Sequence, residues 1–216
     1  MSIVKAVERK IQSQFDGDSS GHDWHHIQRV LRVSRYIHQF EGGDLETIEL
    51  AALLHDISDH KFNGGKLNEG GKVAHQILIE LGANQSLADN VKYIVDNVSY
   101  KGAGTKHEMN SLEGKIVQDA DRLDAIGAIG VGRTFAYGGH KGQPMYEPER
   151  DPRLHDSFED YANSQGNTIN HFYEKLLLLT ERLNTPTAKK LGKERHEFME
   201  QFLKQFYHEW NFNKDE

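Results

Sequence analysis

The apolar run Ala51-Ala52-Leu53-Leu54 stops abruptly in His55-Asp56. Counting back from His55 at helical spacing meets Ala52, Ile48 and Leu45, so a helix ending here carries the imidazole on its buried stripe. An imidazole and a carboxylate left uncompensated inside a core each cost several kcal/mol. A shared divalent metal would compensate both, because neutral imidazole and carboxylate oxygen suit borderline and hard first-row ions. The dipeptide alone does not establish this. It occurs three times, as His22-Asp23, His55-Asp56 and His155-Asp156. Only the second copy lies on an apolar helical stripe; the others sit in polar, loop-like surroundings and read as solvated.

Composition narrows the function. With no cysteine in the chain, disulfides and thiolate–zinc sites are excluded and the cytoplasm is the expected compartment. Thirteen histidines in 216 residues lean toward metal chemistry. A formal net charge of -7 without a sustained basic run argues against a nucleic-acid polymer as partner. It leaves room for a small anionic substrate held by a few local cations. No apolar run approaches the roughly 20 residues of a membrane span. The opening residues Met1-Ser2-Ile3-Val4-Lys5 lack the apolar core of a signal peptide. The length suits one domain over residues 1–216.

Helical periodicity dominates. Ile3, Val4, Val7, Ile11 and Phe15 mark a first helix, and Ile27, Val30, Leu31, Ser34 and Ile37 the inward stripe of a second. His26, beside Ile27 and one turn before Val30, looks inward on that stripe. Asp44 is an N-cap candidate for the helix that ends at His55. Further helices are expected over residues 69–82, closed by Gly82, and 85–97. The next, from residue 110 to about 126, carries Leu112, Ile116, Ala120 and Leu123 on one stripe, with Asp121 and Asp124 beside it. The small-residue run 125–132 allows close helix packing there. Two long helices, 157–183 and 187–211, finish the chain. His75, His171, His196 and His208 read as structural or surface residues. Strand-like alternation is absent, so the expected class is an all-α bundle.

Three stretches of this bundle can meet: His26 on one helix, His55-Asp56 on the next and Asp121 on a later one. Bundles build metal sites by projecting such side chains inward. In this pattern, and in the words Gly21-His22-Asp23-Trp24-His25-His26-Ile27-Gln28-Arg29-Val30 and Val117-Gln118-Asp119-Ala120-Asp121-Arg122-Leu123-Asp124, the chain resembles the HD-domain metal-dependent phosphohydrolase superfamily, in its small stand-alone bacterial branch. The likeness covers about residues 20–150.

The resemblance implies one divalent ion held by His26, His55, Asp56 and Asp121. Manganese suits two imidazoles and two carboxylates better than magnesium does, with nickel, cobalt, iron and zinc also used in the superfamily. It also implies hydrolysis of a phosphate ester or phosphoanhydride bond in a nucleotide-like substrate. Asp59, four residues after His55, is the candidate catalytic acid or base. Lys61, Lys66, Arg122 and Arg133 are candidate phosphate contacts, and Asp124 a support for the ligands. A mobile lid over residues 99–107 and a homodimer are compatible with these features. Two rival readings carry different requirements. A di-iron oxygenase on the same scaffold needs a second set of inward ligands. A non-catalytic nucleotide sensor needs binding without turnover.

Overall fold

A computed structural model describes residues 2–15, 23–57, 69–99, 109–153 and 166–212. In chain order it contains α1 (Ile3–Phe15), α2 (Trp24–Glu41), α3 (Leu45–Leu54), α4 (Gly70–Glu80), α5 (Gln85–Val98), α6 (Leu112–Asp124) and α7 (Gly127–His140). These are followed by α8 (Asn170–Glu174), a 3-10 helix (Leu176–Arg182) and α9 (Pro186–Asn211). Among the described residues there is no strand.

The centre is α3. Ile48, Leu50, Ala51, Ala52, Leu53 and Leu54 are all fully buried. A helix that is apolar on every side is stable only with neighbours on every side, and α1, α2, α5 and α6 pack around it. Each fully buried leucine or isoleucine contributes about 1.5–3 kcal/mol. Leu45, expected on the His55 stripe, is instead 40% exposed, because it opens the helix at the bundle edge.

Polar caps fix where the helices begin. Asp44 accepts from the Thr47 N–H at 2.8 Å, Asn84 from Leu87 at 2.9 Å and Ser111 from Gly114 at 3.1 Å. Such caps are worth about 1 kcal/mol each. Asp23 caps α2 through the His26 N–H at 2.8 Å, so this carboxylate is more than a solvated charge.

The C-terminal segment departs from expectation. No single helix runs through residues 166–183. The backbone leaves α8 at Lys175 (φ -143, ψ -58) and re-forms as the 3-10 helix, which buries Leu176 and Leu179. A tighter winding turns these two leucines to the same side, three residues apart. The stretch 125–132, expected only to pack closely, opens α7. Gly127 sits at φ 75, with the side chain of Arg195 filling the space a Cβ would need. α9 forms over nearly its expected length, and its Phe202 stacks on Phe172 at 5.8 Å between ring centroids.

One buried carboxylate joins α9 to α6. Asp119 accepts from the backbone N–H groups of Asn184 and Thr185, from Asn184 Nδ2 and from Thr185 Oγ1, each at 2.8 Å. Arg122 and Arg195 reinforce the junction by donating to the carbonyls of Arg182 and Leu123.

Two stability predictions follow from this junction. Asp119→Ala leaves several buried donors without their acceptor and should cost about 2–4 kcal/mol in urea unfolding. A loss below about 1 kcal/mol would mean that the carboxylate is not what holds the two helices together. The second concerns His171 on α8. Burial, aided by nearby Lys175, pushes its pKa down from 6.5 to about 3. The unfolded chain therefore takes up a proton, as pH falls below 6.5, that the native state refuses until about 3. Stability should decline through that window, by at most about 1.4 kcal/mol per pH unit. His171→Gln should shrink the fall in urea midpoint between about pH 7 and about pH 5. An undiminished fall would locate its source elsewhere.

Candidate metal centre

Three helix ends converge beside α3. His26 lies in the first turn of α2, His55 is the C-cap of α3 with Asp56 next to it, and Asp121 stands in the last turn of α6. The C-terminal ends of α3 and α6 both point their carbonyl dipoles toward this place, which favours a cation there.

The donor atoms form a tight group. His26 Nε2 lies 3.2 Å from His55 Nε2, 3.3 Å from an Asp56 carboxylate oxygen and 3.6 Å from one of Asp121. His55 Nε2 lies 3.6 Å from the same Asp56 oxygen and 3.8 Å from the same Asp121 oxygen. An ion with bonds of about 2.1 Å spans donors roughly 3.0–4.2 Å apart. Among the described residues, His26, His55 and Asp56 make up the one set of three such side chains gathered closely enough for an ion.

Hydrogen bonding fixes how the imidazoles face. His55 Nδ1 lies 2.8 Å from the Ala52 carbonyl, which can only accept, so this nitrogen carries the proton. His26 Nδ1 lies 2.7 Å from Asp124 and likewise donates. In their neutral forms both rings then turn an Nε2 lone pair toward the other and toward two carboxylates. Two lone pairs 3.2 Å apart, with carboxylate oxygens 3.3–3.8 Å from them, repel unless positive charge sits among them. The donor set therefore fits a divalent ion. Protons feel the same field: burial lowers the His26 pKa, but Asp124, Asp56 and Asp121 outweigh it and hold it up at about 9. Metal and proton thus compete for one position.

Asp124 is the support behind His26. It accepts from Arg29 Nε at 2.7 Å, from Arg29 Nη2 at 3.0 Å and from Arg133 Nη1 at 2.7 Å. Burial raises its pKa, but His26 and the two arginines outweigh this and keep it well below the usual carboxylate range. A carboxylate behind a ligating histidine fixes ring orientation and raises basicity.

The cluster has one open side. His26 and His55 are almost fully buried, whereas the Asp56 and Asp121 side chains are 19% and 30% exposed. Arg29 and Arg133 are also partly exposed. Of the candidate phosphate contacts, Arg133 therefore stands beside the site. Arg122 does not: it is buried and directed to the Arg182 carbonyl. Asp59, Lys61 and Lys66 lie outside the described residues, as do residues 100–107 of the expected lid. Arg29 was legible only as the residue one turn after His26 on the same helical face.

Comparison with known proteins agrees with this geometry. The HD-domain family matches residues 23–126. YpgQ of Bacillus subtilis strain 168 is 41% identical over 203 residues, covering 94% of this chain and 91% of YpgQ. Its crystal structure in complex with ADP superposes with a TM-score of 0.74 over 95% of this chain and 97% of that chain. A Lactobacillus plantarum protein of known structure has a TM-score of 0.87 at 36% identity, covering 99% of this chain and 100% of its own. An HD-superfamily hydrolase from Bacillus thuringiensis is 40% identical, with a TM-score of 0.76 and 97% of each chain covered. The chain belongs to the HD-domain superfamily, and its all-α fold is the HD-domain fold.

Metal binding by this cluster should be measurable directly. Calorimetric titration with manganese should show one site per chain in the parent and none in His55→Ala. Asp124→Asn should weaken affinity by about 10–100-fold, the usual effect of removing a ligand's support. Unchanged affinity in Asp124→Asn would remove Asp124 from that role.

Proposed function

We propose that this protein is a metal-dependent phosphohydrolase of a small nucleotide, with His26, His55, Asp56 and Asp121 holding one divalent ion, manganese by preference. The observation that carries this reading is the convergence of two Nε2 atoms 3.2 Å apart, with one oxygen of Asp56 and one of Asp121 each 3.3–3.8 Å from them, at one partly open place. When bound, the ion would supply a Lewis acid to a phosphoryl oxygen. Asp124 keeps the His26 ring in the orientation that presents Nε2. Arg133, held at Asp124, stands at the open side as the proposed phosphate contact. Asp59 remains the proposed acid or base, and Lys61 and Lys66 proposed phosphate contacts. Arg122, whose side chain donates to the Arg182 carbonyl, is not proposed for that role. The ADP bound to YpgQ supports a nucleotide as the ligand class. No helix is long and apolar enough to cross a membrane among the described residues, in keeping with a proposed place in the cytoplasm.

The ADP complex equally favours a sensor that binds nucleotide without cleaving it. The oxygenase reading gains nothing, since the described residues gather no second ligand set beside the first.

A hydrolysis screen separates the remaining two. Metal-stripped protein is supplied in turn with manganese, nickel, cobalt or magnesium and offered nucleoside mono-, di- and triphosphates. Turnover should require metal and fall at least about 100-fold in His55→Ala and in Asp121→Asn. Release of phosphate or of pyrophosphate would name the bond. Tight ADP binding with no turnover in any metal would overturn the hydrolase reading in favour of the sensor.

A further inference from the structure

We propose that the ring of Tyr137 on α7 stacks on the nucleobase of the substrate, while Arg133, one turn earlier on the same helix, meets its phosphate. This rests on the phosphohydrolase reading. Arg133 is tied to the metal cluster by contact: its Nη1 lies 2.7 Å from an Asp124 carboxylate oxygen and 3.3 Å from His26 Nδ1. Tyr137 follows four residues later, which on a helix is the same face, about 6 Å further along the axis. Helical side chains lean toward the N-terminus, so the Tyr137 ring covers the turn that carries Arg133 rather than the turn beyond it. A nucleoside diphosphate or triphosphate is longer than one helical turn. With its phosphate at Arg133, its base comes within reach of the aromatic ring on the next turn.

The ring is held in place yet open. Tyr137 is 50% exposed, and the ammonium of Lys141, one turn on, sits 5.6 Å from its ring centre. A cation over one face steadies an aromatic ring, and half of the residue still faces solvent. Other exposed rings differ. Tyr36 and Phe40 pair with each other at 5.1 Å, and Trp210 stacks on Phe206 at 5.6 Å. Of these, Tyr137 alone stands one turn from a side chain that touches the cluster. The helix beneath it is also firm on both sides of this strip. Gly130 and Gly138 are buried, and a Cβ at either would collide with the Ala125 carbonyl or with Thr168 Oγ1. α7 thus lies backbone-close to its neighbours just before Arg133 and just after Tyr137, which fixes the spacing between guanidinium and ring. Every base presents a π face, so a ring at this spacing favours nucleotides over bare phosphates without choosing among bases. Tyr137 lies beyond the HD-domain match, which ends at residue 126, so base binding would fall to a helix outside the common metal-binding core.

The test uses the full chain with Tyr137→Ala, Tyr137→Leu and Tyr137→Phe. Calorimetry measures manganese affinity, then ADP and pyrophosphate binding to the manganese-loaded protein; pyrophosphate has the anionic groups without the base. Manganese affinity and pyrophosphate binding should stay within about 2-fold of the parent in all three variants. ADP binding should weaken at least about 5-fold in Tyr137→Ala and Tyr137→Leu, and stay within about 2-fold in Tyr137→Phe, which keeps the ring. Where the parent turns over a nucleotide, KM should rise in Tyr137→Ala more than kcat falls. Parent-like ADP binding in Tyr137→Ala overturns the proposal. So does an equal loss of pyrophosphate binding, which would mark a structural role, or a failure of Phe to preserve ADP binding. If the parent hydrolyses and Tyr137→Ala binds ADP as the parent does, only the stacking assignment falls. If the parent binds ADP without hydrolysing any nucleotide, and Ala and Leu alone weaken that binding, the stacking assignment stands and the hydrolase reading falls. A parent that neither binds nor hydrolyses nucleotide overturns both.

Discussion

Two imidazole nitrogens 3.2 Å apart, each with its other nitrogen committed to a hydrogen bond, set the terms for much of this structure. Such a pair is unfavourable in a dry core unless positive charge lies between its members. The helices around it are arranged accordingly. α2 delivers His26 in its first turn, where Asp23 fixes the backbone by capping. α3 and α6 deliver their ligands at their C-terminal ends, where the helix dipole favours a cation. Asp124 then gathers His26, Arg29 and Arg133 into one network, so a single carboxylate orients a ring and places two guanidiniums at the rim.

The apolar pattern made the first six helices legible because their stripes repeat at helical spacing over ten residues or more. The candidate ligand set was legible for a related reason. His26, His55 and Asp121 all lie on or beside apolar stripes, where a polar side chain demands a partner. Asp124 showed the same signal. The phosphate contacts were harder. Arg122 neighbours Asp121 in sequence, but adjacent helix positions point about 100° apart, and this side chain reaches away to Arg182. The break at Lys175 carried no signal at all. Its stretch reads as continuous helix, and only tertiary packing of Leu176 and Leu179 makes the chain break there. Where a helix breaks in this way depends on packing of segments far apart in sequence, which periodicity does not record.

The relatives divide the chain in the same way. The HD-domain match stops where α6 gives way to α7. The remaining helices are shared with YpgQ and with the Lactobacillus plantarum protein over nearly the full length. They do more than lengthen the bundle. α7 provides Arg133, the 3-10 segment receives Arg122, and α9 is fastened to α6 through Asp119.

That fastening has a consequence for the order of events during synthesis. Asp121 and Asp124 ride on a helix whose buried face is secured by Asn184 and Thr185 and whose last turn is closed by Arg195. An emerging chain that has exposed only α1–α6 already holds every proposed donor to an ion, yet lacks the groups that keep α6 in register. Firm capture of an ion at the proposed site would thus wait until α9 has left the ribosome. An ion held there would act as a seal on a finished bundle rather than as a seed for it, and a stalled or cleaved chain would hold it loosely.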